Sequence, residues 1–215
     1  MSEWATYTLS DLLMFSARTY YRLIELYNLA VWPMHLLAIT AGIAIVLCAL
    51  RDDGGRIAAV VLGFCWMWVA WEFHAGRYAT INSAALYFAA GFAIQGVLLI
   101  FAGRLSAIRN PVGAGLLLLA LFGYPLLAIF GGRPWQQGEV FGIAPDPTAA
   151  VTLILLAFSP RAHWALLPVP LLWSAISGAT LWTMQVRDAW VLPLLALLAV
   201  VLFIRRTRPR YGQGC

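Results

Sequence analysis

An all-α, polytopic transmembrane helical bundle of about seven spans, preceded by an N-terminal interfacial helix, is the fold class this chain predicts. The first observation behind it is composition: 62% of the 215 residues are hydrophobic, 11% are charged, and mean hydropathy is +0.82. A water-soluble core of this size could not hide so much apolar surface. The second is the pattern of apolarity. Residues 43–50, 116–122 and 192–204 are continuously apolar, whereas strands of a membrane barrel would alternate polar and apolar positions. The third is spacing: apolar stretches near the length that crosses a bilayer are separated by short turns that hold nearly all the arginines.

Taken in order, the leading segment 1–28 is not an apolar signal core, because Glu3, Asp11, Arg18, Arg22 and Glu25 interrupt it. The first span is expected to act as its own insertion signal. Ser16 can cap a helix that carries Arg18, Arg22 and Glu25 on one face, and Tyr20, Tyr21 and Tyr27 suit a headgroup boundary. This helix reads as an anchor for the first span or, more sharply, as a lid over an outward-facing cavity. Spans follow at residues 30–50, 57–75, 83–103, 112–130, 140 or 147–158, 164–184 and 189–204, with Pro33 expected to kink the chain as it enters the membrane. The third span is rich in small residues around Ala85, Ala89, Ala90, Gly91 and Gly96, and the sixth carries the Ser174/Gly178 pair; both patterns suit close helix packing. Pro168 and Pro170 are expected to bend the sixth. Residues 205–215 form a basic tail, and no linker divides the chain, so residues 1–215 are expected to be a single integral membrane domain.

Arginine placement predicts orientation. With the C-terminus in the cytoplasm, Arg51, Arg56, Arg104, Arg109, Arg161, Arg205, Arg206, Arg208 and Arg210 lie inside, while Arg18, Arg22, Arg77, Arg133 and Arg187 lie outside. The N-terminus is then outside. On this topology Glu3, Asp11, Glu25, Glu72, Glu139, Asp146 and Asp188 fall at or near the outer face, and Asp52 and Asp53 alone fall inside.

All 14 basic residues are arginine. Without lysine no Schiff base to retinal or pyridoxal phosphate can form. The net charge of +5 is not clustered into a nucleic-acid surface, and nucleic acid is not expected as a partner. Cys48, Cys65 and Cys215 have no metal-ligand or disulfide spacing. With three histidines in the chain and His163 on the inner side, a three-histidine zinc centre of the ceramidase type is disfavoured.

Polar residues concentrate in two places. In WMWVAWEFHAGRY, Glu72, His74 and Arg77 sit in a mostly apolar stretch, where ionisable groups face a bundle interior or a cavity. Glu72 and His74 are two residues apart, so they face opposite sides of one helix and any shared site needs another element. The second cluster is Arg133, Trp135, Glu139 and Asp146. Asp146 reads as a helix N-cap with Pro147 at the first helical position; alternatively, the APDP turn breaks the fifth span into two half-helices that line a site. Glu72, His74, Arg77, Arg133, Trp135, Glu139 and Asp146 are therefore the candidate ligand-binding residues, with Trp71 and Trp135 as walls. Against this stands a purely structural account, in which Arg77 neutralises Glu72, Glu139 or Asp146 at the membrane edge. No cofactor is expected, although haem held between His35 and His74 is an open alternative. No metal site and no catalytic set is expected either.

The segments TYTLSDLLMFSARTYYRLIELYN, WEFHAGRYATIN, GYPLLAIFGGRPW with EVFGIAPDPT, and LLWSAISGATLW, in that order along most of the chain, resemble an uncharacterised family of small multi-pass bacterial membrane proteins, a domain of unknown function. The resemblance implies a bacterial inner membrane and carries no activity. The expected function is binding or transport of a small solute or ion through an outward-facing polar pocket at the ends of spans one, two, four and five, with a membrane-embedded enzyme left as a third reading. The alternative is a non-catalytic membrane subunit or assembly factor whose small-residue helix faces dock onto a partner membrane protein or a second copy. In either case the lipid bilayer is a partner.

Overall fold

The computed structural model of the chain describes residues 14–103, 105, 107–159 and 164–207. Glu3, Asp11, Arg104, Arg161, His163, Arg208, Arg210 and Cys215 lie outside these residues. What is described is all-α, with no strand among the described residues.

Ser16 does cap the first helix, α1 (Ala17–Ala30), its hydroxyl accepting from the Thr19 N–H at 3.2 Å. Beyond Pro33 the chain turns by 92° into α2 (Met34–Ala49), so α1 lies across the end of the bundle. Next comes α3 (Gly55–Trp68), which widens without interruption into a π-helical segment, Val69–Ala75. Then come α4 (Ala85–Ala102), α5 (Pro111–Leu118) with a second π segment (Leu119–Gly123), and the short α6 (Leu126–Phe130). The fold closes with α7 (Pro145–Phe158), α8 (Pro168–Thr183) and α9 (Val191–Thr207). Three helical stretches, Gly55–Thr80, Ala85–Ala102 and Trp164–Thr183, are long and apolar enough to cross a membrane, and the bent α1–α2 pair makes a fourth if taken as one span. Pro111–Gly123, Pro145–Phe158 and Val191–Arg205 are apolar but shorter.

The axis of the assembly is α7. Every one of its residues is buried, from Pro145 to Phe158, with α3, α5, α8 and α9 packed against it. Such a helix has no outward stripe, and its polar residues Asp146, Thr148 and Thr152 find their partners inside the fold. Trp66 of α3 donates its indole N–H to Thr152 Oγ1 at 2.8 Å, and the Thr152 hydroxyl in turn donates to the Thr148 carbonyl.

Three expectations about α7 and α8 are overturned. Asp146 is not an N-cap: the helix starts at Pro145, with Ala144 in the cap position and no side chain capping it. Pro147 has no N–H to offer a cap, and Thr148 steadies the entry instead, accepting from the Gly142 N–H (3.0 Å) and donating to the Ala144 carbonyl (2.7 Å). Nor is there a half-helix before APDP; residues 141–144 form a buried turn with Gly142 at φ +74°. Pro168 and Pro170 do not bend α8 but begin it, in the first turn where a missing N–H costs nothing.

Two of the small-residue positions serve close packing inside the chain. A methyl group on Gly96 would meet the Gly63 carbonyl oxygen at 2.9 Å, so α3 and α4 touch almost backbone to backbone. One on Gly178 would meet Pro193 of α9 at 2.3 Å. The two ends of the bundle differ sharply. Arg51 pairs with Asp53 and Arg109 with Asp52 at one end, while Glu25, Glu72, Glu139, Asp146 and Asp188 gather at the other, beside α1.

Candidate functional site

At the α1 end, each candidate side chain is placed by a different element. Asp146, in the first turn of α7, is 0% exposed. Trp173 and Ser177 stand one turn apart on α8 and present an indole N–H and a hydroxyl to the same carboxylate, at 2.8 and 2.7 Å. The Tyr124 hydroxyl, just past the second π segment, reaches it at 3.4 Å. The carboxylate thus has three donors and lies at the positive end of the α7 dipole, which is how a buried acid is tolerated.

Glu139 lies in the turn ahead of α7 and is also buried, accepting a hydrogen bond from the Tyr20 hydroxyl of α1 at 2.9 Å. Burial, and then the negative charge of Asp146, push its carboxyl well above the usual 4.5, against the smaller opposing pull of the Tyr20 hydrogen bond and Arg133. Two buried acids within electrostatic reach of each other are an arrangement suited to holding a proton.

Above this pair opens a bowl of about 700 Å³ between α1, the turn after α6 and the α8–α9 turn. Its wall carries Arg133, whose guanidinium donates to Asp188 at 2.8 Å with both side chains mostly buried (15% and 17% exposed) and stacks 3.7 Å over the Tyr21 ring. Arg22 pairs with Glu25, and Gln137 donates to Glu25 from the facing turn at 3.2 Å. Arg18 and Arg187, also on the rim, have no ion pair among the described residues. The route inward is aromatic and then acidic: the Tyr21 ring meets Tyr20 at 5.2 Å, and Tyr20 holds Glu139.

The seven candidate residues therefore divide. Arg133 lines the bowl, and Glu139 and Asp146 lie beneath it. Glu72 pairs with Arg77 at 3.4 Å, and Arg77 opens on a separate recess on the other side of α1. His74 is fully buried and faces away from Glu72, as their spacing requires, into an aromatic box of Phe73, Tyr78, Phe88, Phe92 and Trp173. Its Trp173 wall is the donor to Asp146, so His74 reaches the acid only through that indole. Trp135 is 73% exposed and Trp71 77%, and neither lines the bowl or the recess beside Arg77. His35 sits against Trp32 and Asn28, and none of its contacts is shared with His74. Among the described residues no three His, Cys, Asp or Glu side chains are placed to hold a metal ion together.

Tyr20, Tyr21, Tyr124, Trp173, Ser177 and Asp188 belong to the site and were not among the residues expected there. The one signal for them in sequence is the Trp173/Ser177 spacing, which puts two donors on one face of an apolar helix. Tyr20 and Tyr21 read equally well as interfacial aromatics, and the Arg133–Asp188 pairing spans 55 residues of chain.

No curated protein and no solved structure matches the chain. A family profile does, described as a family of unknown function (DUF6064), over residues 17–212. That span takes in α1, every helix of the bundle and both buried acids, and the chain belongs to this family of unknown function.

Proposed function

We propose that this chain is a seven-span integral protein of a bacterial inner membrane, N-terminus outside and C-terminus cytoplasmic, that binds and carries a small solute or ion through the bowl beside α1. The seven apolar helical segments from α2 to α9, with α5 and α6 sharing one span, support the span count. The arginine asymmetry supports the orientation. As a span, α7 is short at about 21 Å. Its sheath of other helices and the burial of residues 141–144 meet the requirement that irregular backbone at membrane depth be enclosed by protein.

The observation that carries the solute reading is the vertical order of groups. An open bowl holding both charge signs lies over a buried tyrosine–carboxyl pair, Tyr20–Glu139, with Asp146 beyond. A solute with a carboxylate or an ammonium group, or both, would meet Arg133, Arg187, Glu25 and Asp188 in the bowl. Glu139 and Asp146 would exchange a proton as it passes. Glu72 and Arg77 fall outside this path. Two of the close approaches that small residues could offer a docking partner are already taken within the chain, Gly63 against Gly96 and Gly178 against Pro193.

The test is uptake of small carboxylates and amino acids into proteoliposomes under an imposed proton gradient. At least one should enter faster with the gradient than without it, and Glu139→Gln should abolish the gradient dependence. Absence of uptake and of any solute-induced melting shift, together with a stoichiometric partner protein retained in mild detergent, would replace this reading with the docking one.

A further inference from the structure

The second recess at the α1 end has a different chemistry from the bowl. It encloses about 500 Å³ between α1 and the turn that ends the first π segment, and its lining includes Arg18, Arg22 and Arg77 with Leu23, Leu26 and Ile81. Among the described residues no acidic side chain lines it. Glu25 and Glu72 reach Arg22 and Arg77 from outside the lining, and Arg18 has no ion pair among the described residues. The three guanidinium groups come from two elements, with apolar side chains completing the wall. Such a combination matches a ligand with an anionic head and a hydrocarbon body.

Position adds to charge. α1 lies across the bundle end at 92° to α2, the attitude of a helix at a membrane surface, and Trp32 and Trp71 are largely exposed at the same end, as aromatic residues are at headgroup level. Leu26, half exposed on α1, continues the apolar wall outward from the recess.

We infer that this recess binds the phosphate headgroup of an anionic phospholipid, with Arg18 and Arg77 gripping the phosphate from its two sides and Leu23, Leu26 and Ile81 lying along the upper acyl chain. The inference rests on the membrane reading proposed above and is independent of solute transport. Because Arg18 and Arg22 line both recesses, a bound headgroup draws their charge away from the bowl and links lipid composition to solute affinity.

The purified full chain in neutral detergent, titrated with dihexanoyl phosphatidylglycerol, dihexanoyl phosphatidylcholine and inorganic phosphate and read by native mass spectrometry, tests this. Phosphatidylglycerol should bind as a single copy, and Arg18→Gln or Arg77→Gln should each weaken it about tenfold or more. Arg187→Gln, which alters only the bowl, should leave it unchanged. Equal binding of phosphatidylcholine, or full binding by Arg77→Gln protein with a wild-type melting profile, overturns the site. Inorganic phosphate binding as tightly as the lipid overturns the lipid assignment. The membrane reading fails separately, if carbonate washing without detergent releases the protein from membranes.

Discussion

Asp146 holds the most demanding position in the chain. Its carboxylate has no exposure and takes donors from Trp173, Ser177 and Tyr124, so removing it strands an indole N–H and two hydroxyls in an apolar interior. Each stranded donor costs about 1–3 kcal/mol. Asp146→Ala should therefore lower the melting temperature in detergent far more than Asp146→Asn, which leaves an oxygen to accept from one of them. Glu139 gives a pH signature. Its carboxyl is raised above the ordinary 4.5, so the native chain keeps this proton after the unfolded chain has lost it. The sign follows from linkage: this contribution is complete below about pH 4.5 and falls away as pH rises toward the elevated value. Glu139→Gln should remove that fall, so the melting temperatures of the two proteins should diverge with rising pH above 4.5; parallel curves would mean that Glu139 ionises freely in the folded chain.

Among the elements, the α3–α4 contact is governed by Gly63 and Gly96. A Cβ at Gly96 meets Met67 at 2.8 Å and a backbone carbonyl at 2.9 Å; the thioether can move aside, but the carbonyl moves only with its helix. Gly96→Ala is expected to cost about 1–3 kcal/mol by forcing the helices apart. Gly115→Ala in α5, with nothing within 4 Å of the added methyl, is expected to be neutral or slightly stabilising. Comparing the two melting curves separates packing from helix propensity. These elements also show how far the sequence could be read. Helix locations followed from continuous apolar runs and the Ser16 cap, because those signals are local. Asp146 was misread because a carboxylate next to proline looks like a cap until α8 is seen to place Trp173 and Ser177 beside it. The split of Glu72, Arg77 and His74 from Arg133, Glu139 and Asp146 was equally hidden: depth along a helix can be read from sequence, but position around the bundle is set by packing partners far away in the chain.

At the scale of the whole bundle, the acidic residues that are described are sorted by end. Asp52 and Asp53 sit with Arg51 and Arg109 at one pole as exposed pairs, which contribute little to stability. The opposite pole keeps its acids buried or half-buried beside α1, with Arg133–Asp188 as its best enclosed pair. Arg133→Gln should accordingly destabilise more than Arg109→Gln, because it leaves Asp188 without its counter-charge in a confined site. Equal melting shifts would show that the bowl is wetter than its geometry implies. Finally, the complete enclosure of α7 has an evolutionary consequence. Helices such as α4 and α9 can accept many replacements every third or fourth position, on the side their neighbours leave bare. Across Pro145–Phe158 that rhythm should vanish, giving fourteen consecutive sites of uniformly low tolerance in a saturation screen, with no forgiving face anywhere along the rod.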